Sequence, residues 1–468
     1  MGKVSKNIVL NDVEIVDTSA EGKSVAKHEG LVIFCEGGVP GDIVDINIYR
    51  KKNKLAEGKV IEIKKASEYR IKPQCEHFGT CGGCKWQSMS YEAQLKFKQK
   101  FVSDALIRIG KLDIPEILPI FKNSEPYFYR NKLEFSFSNK KWLTAEQIQT
   151  EAEVANKNAL GFHIPGRFDK VLDIDNCYLQ PEPSNQIRNE VRDYAAKNNL
   201  TFFDIRDKGG FLRTLMIRIT GTGEVMVVVA VYDWLEKELF ALLEHLKQKF
   251  PQITSLQYVH NPKGNDSMDG LDIKLYSGRA FVLEEMEGLK FKISPKSFYQ
   301  TNSQQAYNLY KITREFAGLT GNELVYDLYT GTGTIANFVA RNSKKVIGVE
   351  YIEDAVRDAR ENSKANNIEN TFFTSGDMKD VLTNDFIKQH GAPDVIITDP
   401  PRAGMHEDVV KVILNANPEK IVYVSCNPST QARDLALMAH QYTIVKIQPV
   451  DMFPQTAHVE NVVLLLRK

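Results

Sequence analysis

The sequence predicts a multidomain α/β protein: a small N-terminal β-barrel, a central α+β domain and a C-terminal Rossmann-like domain. Three observations carry this reading. Residues 7–65 alternate in short strand-like runs that break at Glu21-Gly22, Gly37-Gly38 and Pro40-Gly41, the pattern of a small closed barrel. Three cysteines crowd into PQCEHFGTCGGCKWQ, just after those runs. From about residue 321, apolar strand-like segments alternate with helix-like ones, which is the rhythm of a parallel, doubly wound sheet. A chain of 468 residues is long enough for several such units. The boundaries fall at 1–66, 67–290 and 291–468.

The barrel segment ends in RKKNKLAEGKVIEIKKASEYRIK (50–72), with nine Lys or Arg against three acids. Two readings stay open: a solvated, Lys-rich strand edge, or a local patch for a polyanion. Net charge does not decide between them, because Lys plus Arg equals Asp plus Glu at 60 each. In the central segment, SYEAQLKFKQKFVSDALIRI (90–109) reads as a helix with Ser90 at its start. TLMIRITG and EVMVVVAVYD read as a hairpin around Gly221 and Gly223, and WLEKELFALLEHLKQKF as a helix stopped by Pro251.

In the last segment the order is LVYDLY, a Gly-rich turn, IANFVARN, KKVIGVE, IEDAVRDARENSKAN, TFFTSG, DVIITDPPRAG and KIVYVSC. Open α/β sheets bind ligands beyond the carboxyl ends of their strands, and the candidate site residues fall at such ends. Thr330-Gly331-Thr332-Gly333-Thr334 follows one strand and opens a helix, and Glu350 ends the next strand. An acid at that spacing accepts hydrogen bonds from ribose hydroxyls. The loop has neither the third glycine of a dinucleotide fingerprint nor the Lys of a P-loop. A nucleoside cofactor without a pyrophosphate is expected, and S-adenosylmethionine (SAM) fits. Asp377 has two readings, an adenine-side ligand or a helix N-cap.

Asp399-Pro400-Pro401-Arg402 ends the fourth strand. Two prolines force a rigid, extended exit and hold the Asp399 carboxylate at the cleft, where it suits base N–H groups. Ser425-Cys426-Asn427-Pro428 ends the fifth. A lone Cys in an apolar strand is usually packing, but Cys426 lies where the strand stops, and a thiolate there would face the cleft. His458-Val459-Glu460 precedes the last strand, and on an extended chain His458 and Glu460 would point the same way. A carboxylate near a Cys nucleophile suggests proton removal.

These residues converge with further motifs: Ser297-Phe298-Tyr299-Gln300-Thr301-Asn302, DLYTGTGT, IGVE, TDPPRAG, VSCNPST and TAHVENV. In this order they are highly specific, and over nearly its whole length the chain resembles the bacterial RNA uracil-5 methyltransferases, which act on 23S ribosomal RNA or on the TΨC loop of transfer RNA. The N-terminal barrel resembles a TRAM domain. The resemblance implies that Gln300, Tyr329, Glu350 and Asp399 line the pocket for SAM and the base. It implies that Cys426 is the nucleophile and Glu460 the base that takes the C5 proton. One departure is the Thr after Tyr329, where many members have Cys; both glycines are kept.

The six cysteines are Cys35, Cys75, Cys81, Cys84, Cys177 and Cys426, too few for a disulfide scaffold in a chain this long. Cys35 is expected to be packing. Cys75-x5-Cys81-x2-Cys84 needs a fourth thiolate, and spacing alone favours zinc. The resemblance supplies Cys177 and implies a [4Fe–4S] cluster instead, and with it ribosomal RNA rather than transfer RNA. The expected partner is RNA, the expected address the cytoplasm, and the expected state a monomer. No run reaches the roughly 18 apolar residues of a membrane span, and the N-terminus does not read as a signal peptide. RNA cytosine-5 enzymes would need a Cys beside the fourth-strand proline, and adenine-N6 enzymes a DPPY-type motif without the later Cys. A non-catalytic, RNA-binding iron–sulfur protein is the alternative of another class.

Overall fold

The computed structural model describes residues 8–143, 148 and 157–468; the first seven residues of the barrel segment lie outside them. Five strands, β1 (Ile8–Thr18), β2 (Ser24–His28), β3 (Leu31–Glu36), β4 (Ile43–Lys52) and β5 (Leu55–Lys65), close into a barrel in the order β1-β2-β3-β5-β4. Its interior is the inward half of each alternating run, Val13, Ile15, Ala26, Ile33, Val44, Ile46, Ile48 and Ala56, and closure leaves no free sheet edge. Cys35 is packed there as expected, and burial pushes its thiol up to about 12. Gly58 takes a place that a side chain could not share, since a Cβ would stand 2.6 Å from Ile46 Cγ2. Helix α1 (Tyr91–Asp104) follows, and its last turn loosens into a π turn over Ala105–Ile109. Ser90 precedes α1 but makes no side-chain cap bond.

The chain divides into two compact units: one of residues 1–79, 83–126 and 399–468, the other of 80–82 and 127–398. The second unit contains a seven-stranded sheet of β6 (Lys132–Ser138), β7 (Ala159–Ile164), β8 (Arg167–Asp173), β9 (Leu212–Ile219), β10 (Val225–Val231), β11 (Ile253–His260) and β12 (Lys274–Gly278), in the order β12-β11-β10-β9-β6-β7-β8. The expected hairpin is β9–β10. Both strands are buried throughout; β10 is an unbroken apolar run, while β9 also buries Arg213, Thr214 and Arg218. Helix α2 (Ser184–Lys197) and helix α3 (Glu236–Lys249) cover the sheet through Ile187, Val191, Leu239, Leu242 and Leu246. A short hairpin, β13 (Val282–Met286) and β14 (Leu289–Ile293), leads to α4 (Ser303–Ala317).

The same unit then builds four parallel strands, β15 (Leu324–Leu328), β16 (Lys345–Glu350), β17 (Thr371–Ser375) and β18 (Val395–Thr398). β16 pairs with β15 and β17, and β18 with β15. Helices α5 (Thr334–Ala340), α6 (Glu353–Ala365), α7 (Met378–Val381) and α8 (Asn384–His390) connect them. This is the α/β architecture expected from residue 321 onward. The rest of the chain, with α9 (Glu407–Ala416), β19 (Lys420–Ser425), α10 (Pro428–Met438), β20 (Tyr442–Val450) and β21 (Glu460–Arg467), belongs to the first unit. There the order is β19-β21-β20, and both pairings are antiparallel. β20 was not anticipated, because Lys446 and Pro449 interrupt its apolar pattern. Among the described residues no helix is long and apolar enough to cross a membrane.

Candidate active site

In the first unit, strand register brings the candidate thiol and carboxylate together. In the β19–β21 ladder Ser425 is the partner of Asn461. The chain leaves β19 at Cys426 and enters β21 at Glu460, so these two residues stand opposite each other at the same end of the ladder. Opposite residues of an antiparallel pair bring their Cβ atoms within about 5 Å. Cys426 is half-buried and Glu460 only 3% exposed. Burial pushes the Cys426 thiol up to about 12, with the negative charges of Glu460 and Asp399 adding to it and Arg402 opposing. Burial likewise raises the Glu460 carboxyl well above its ordinary range, again with Asp399 adding and Arg402 opposing. One thiol, two carboxyl groups and one guanidinium therefore share an electrostatic site.

Local chemistry fixes these groups. Asn427 caps α10, its side chain accepting from Ser429 N–H with Pro428 at the first helical position, as the Asn-Pro order favours. The helix N-terminus just beyond Cys426 favours a thiolate when one forms. The Asn427 amide also donates to the Arg402 carbonyl at 3.0 Å, and Thr430 Oγ1 donates to the same oxygen at 3.2 Å. Further along, Arg433 donates to the carbonyls of Ala403 and Met405, and Met405 N–H to Asp434. The loop after the two prolines is thus tied to α10. Arg402 carried no role in the sequence reading; its place directly after Asp-Pro-Pro was the available signal. His458 and Glu460 differ in environment, the first exposed and the second buried. β21 begins only at Glu460, and His458 stands exposed in the preceding turn with its N–H on Thr456 Oγ1. Strand alternation does not apply before the strand starts.

The second unit carries its own group of candidate residues, those expected to hold a nucleoside. β15 ends at Leu328, and Tyr329, Gly331 and Gly333 all have positive φ, at 63°, 56° and 72°. A Cβ on Gly333 would stand 2.8 Å from Ala359 Cβ, whereas nothing lies within 4 Å of the same position on Gly331. The first glycine is open to a ligand and the second is packed against α6. Glu350 ends β16 and accepts from Gly331 N–H and Ile352 N–H, each at 3.0 Å. Each carboxylate oxygen keeps a lone pair for a hydroxyl. Tyr351, at 72% exposure, and Ile352, at 58%, offer apolar surface beside it. An acid, an open glycine and exposed apolar groups fit a nucleoside such as that of SAM. Beneath the loop lies Asp327, fully buried, accepting from Thr330 Oγ1 at 2.5 Å. Burial, with the Glu350 charge adding, pushes it up to about 7. Gln300 precedes the N-cap Asn302 of α4, and its carbonyl accepts from Asn131 Nδ2 at 2.9 Å. Asp377 caps α7 by accepting from Lys379 N–H, so the capping reading is the one the fold uses.

Among the described residues no group of three or more His, Cys, Asp or Glu side chains is gathered as a metal site. Cys75 and Cys84 fall in the first compact unit, Cys81 and Cys177 in the second. Within the second, Cys81 and Cys177 pack against one apolar cluster of Ile164, Leu172 and Ile174. Burial raises the Cys177 thiol, opposed by the N–H groups of Leu179 and Gln180 and by Arg188 and Arg130.

A Gly-turned strand end with a following acid, and an α/β fold around it, fit a SAM-dependent methyltransferase. The TRAM domain model matches residues 11–61 and the tRNA (uracil-5-)-methyltransferase model residues 274–468. A Bacteroides thetaiotaomicron protein named as an uncharacterized RNA methyltransferase is 58% identical, over 96% of this chain and 99% of its own. A Porphyromonas gingivalis protein of the same name is 55% identical, over 97% and 99%. The crystal structure of the Pyrococcus abyssi tRNA (uracil-54, C5)-methyltransferase with S-adenosyl-L-homocysteine superposes with a TM-score of 0.75 at 26% identity, covering 98% of this chain and 100% of that one. The chain belongs to the tRNA (uracil-5-)-methyltransferase family and is a SAM-dependent RNA uracil-5 methyltransferase.

Proposed function

We propose that the protein methylates C5 of a uracil in 23S ribosomal RNA through a covalent bond between Cys426 and C6. The observation that carries the chemistry is the β19–β21 register, which sets Cys426 opposite a buried Glu460. Uracil C5 is a weak nucleophile until C6 is attacked. The Cys426 thiolate adds to C6, the C5–C6 double bond opens, and the electron pair spreads over C5 and O4. SAM supplies an electrophilic methyl group, which C5 takes while the sulfonium becomes a thioether. Glu460, once ionised, removes the C5 proton; its raised affinity for protons suits a base. The pair left at C5 restores the double bond and expels the Cys426 sulfur. Asp399 holds the N–H edge of the uracil, with Gln300 sharing that role, while Tyr329 and Glu350 hold SAM. The base leaves its stack to reach the site, at a cost of a few kcal/mol.

Cys426→Ala is expected to abolish methylation and the denaturant-resistant protein–RNA adduct; full activity in this variant would refute the mechanism. The four cysteines, Cys75, Cys81, Cys84 and Cys177, are read as ligands of a [4Fe–4S] cluster, with zinc as the alternative. Anaerobic purification with visible absorption and iron and zinc analysis decides between them, and absence of both metals rejects the site. The three-part division at 66 and 290, a monomeric state and a cytoplasmic address complete this reading.

Transfer RNA is the second reading, favoured by the likeness to the Pyrococcus enzyme. Deleting the gene and mapping 5-methyluridine in both RNAs by mass spectrometry separates them. The expected loss is in 23S RNA, and an unchanged ribosomal pattern refutes that substrate. A non-catalytic role would leave both RNAs unchanged.

A further inference from the structure

Val450, the last residue of β20, is the register partner of Glu460, the first of β21. The turn 451–459 between them therefore governs where the Glu460 carboxylate emerges. That turn is buried at Asp451, Met452, Gln455 and Val459. One face of α1 grips it. Tyr91, Gln94 and Lys98 are spaced three and four apart, so they share a face of the helix. Tyr91 OH donates to Asp451 Oδ2 at 2.7 Å. Lys98 Nζ donates to Asp451 Oδ1 at 2.5 Å and to the Phe453 carbonyl at 3.0 Å. The Gln94 amide closes a reciprocal pair with Gln455. Its Nε2 donates to Gln455 Oε1 at 3.0 Å, and its Oε1 accepts from Gln455 N–H at 2.9 Å. Gln455 has a φ of 68°, uncommon for a residue with a side chain, and such backbone persists where its surroundings hold it. Its carbonyl also accepts from Lys85 and Trp86 N–H.

Lys98 and Asp451 are both fully buried. A buried ion pair is often no more stabilising than apolar residues of the same size, and its best-attested gain is a single defined geometry. From these contacts we propose that the α1 face of Tyr91, Gln94 and Lys98 is a positioning device for Glu460, holding its carboxylate where it can take the C5 proton. This rests on Glu460 as the base. The step at stake is the last one: the C5–H bond breaks, its electron pair re-forms the C5–C6 double bond, and the Cys426–C6 bond is released. A displaced Glu460 leaves methyl transfer intact and the adduct uncleared.

The test is a single-turnover reaction of the full chain with SAM and total RNA from a strain lacking the gene. Adduct formation and clearance are followed on denaturing gels, and circular dichroism reports folding. Gln94→Leu is expected to form adduct at the wild-type rate and clear it about tenfold more slowly, since small misplacements of a catalytic group cost that much or more. Tyr91→Phe is expected to move the same way by less. A folded Gln94→Leu with wild-type clearance, or with formation and clearance reduced together, overturns the proposal. If Gln94→Leu does not fold, Tyr91→Phe is judged by the same criterion. Glu460→Gln is the benchmark: if it clears adduct at the wild-type rate, Glu460 is not the base, and both readings fall. If it accumulates adduct and the α1 variants do not, only the positioning role falls.

Discussion

Burial raises the proton affinity of both Cys426 and Glu460, and neighbouring negative charge adds to each. This has a measurable consequence. Glu460→Gln removes one of the charges that raise the thiol, so the pH profile of Cys426 alkylation by iodoacetamide is expected to move to lower pH. The expected shift is on the order of one unit, the scale of a like-charge neighbour; an unmoved profile contradicts the electrostatic picture. Asp327 gives a second test. Its carboxyl is raised to about 7, from an ordinary value near ~3.9. The folded state therefore holds a proton that the unfolded state has released. That contribution is complete below about pH 4 and is lost as pH rises through about 7. Asp327→Asn is expected to flatten the fall in melting temperature over this window, and a fall as steep as in the wild type argues against a buried, protonated Asp327. At this scale the sequence named the residue types but not their protonation. No pattern of letters states that Glu460 is 3% exposed.

Among the elements, the strand-ending motifs were legible because each couples a turn requirement to a chemistry. Asn427-Pro428 reads as a helix start, and the structure uses it as one. Asn427→Ala is expected to cost about 1 kcal/mol by losing the cap and to lower activity further by releasing the Arg402 carbonyl. Asn427→Asp keeps the cap. Denaturation and turnover measured together test this, and equal losses in both variants would reject the capping role. Gly333 makes a similar case: its φ of 72° and the Ala359 methyl leave no room for a side chain. Gly333→Ala is expected to weaken SAM binding about tenfold or more by displacing the loop, and calorimetry with unchanged affinity would refute it. The turn 451–459 was not legible. Its bonds reach α1 across more than 350 residues of sequence, a separation at which spacing carries no information.

Over the whole molecule, equal numbers of acids and bases mean that affinity for RNA must arise from local patches. Lys51, Lys52 and Lys65 are exposed on the strands that end the barrel. Replacing all three with Gln is expected to weaken RNA binding and to reduce the slope of log affinity against log salt by about 0.7–0.9 per lost phosphate contact. An unchanged slope would restore the reading of this segment as a solvated edge. The sequence by itself determined the barrel, the α/β alternation and the strand-end motifs that carry the candidate thiol, carboxylates and glycine loop. Those are local matters of period, turn chemistry and motif order. Tertiary structure alone decided which residues meet: Cys426 against Glu460 through strand register, Arg402 as their counter-charge, Asp377 as a cap, His458 left exposed, and α1 on the turn before Glu460. Burial and register are sums over distant parts of the chain, and the thiol and carboxyl acquire their proton affinities only once those parts have closed around them.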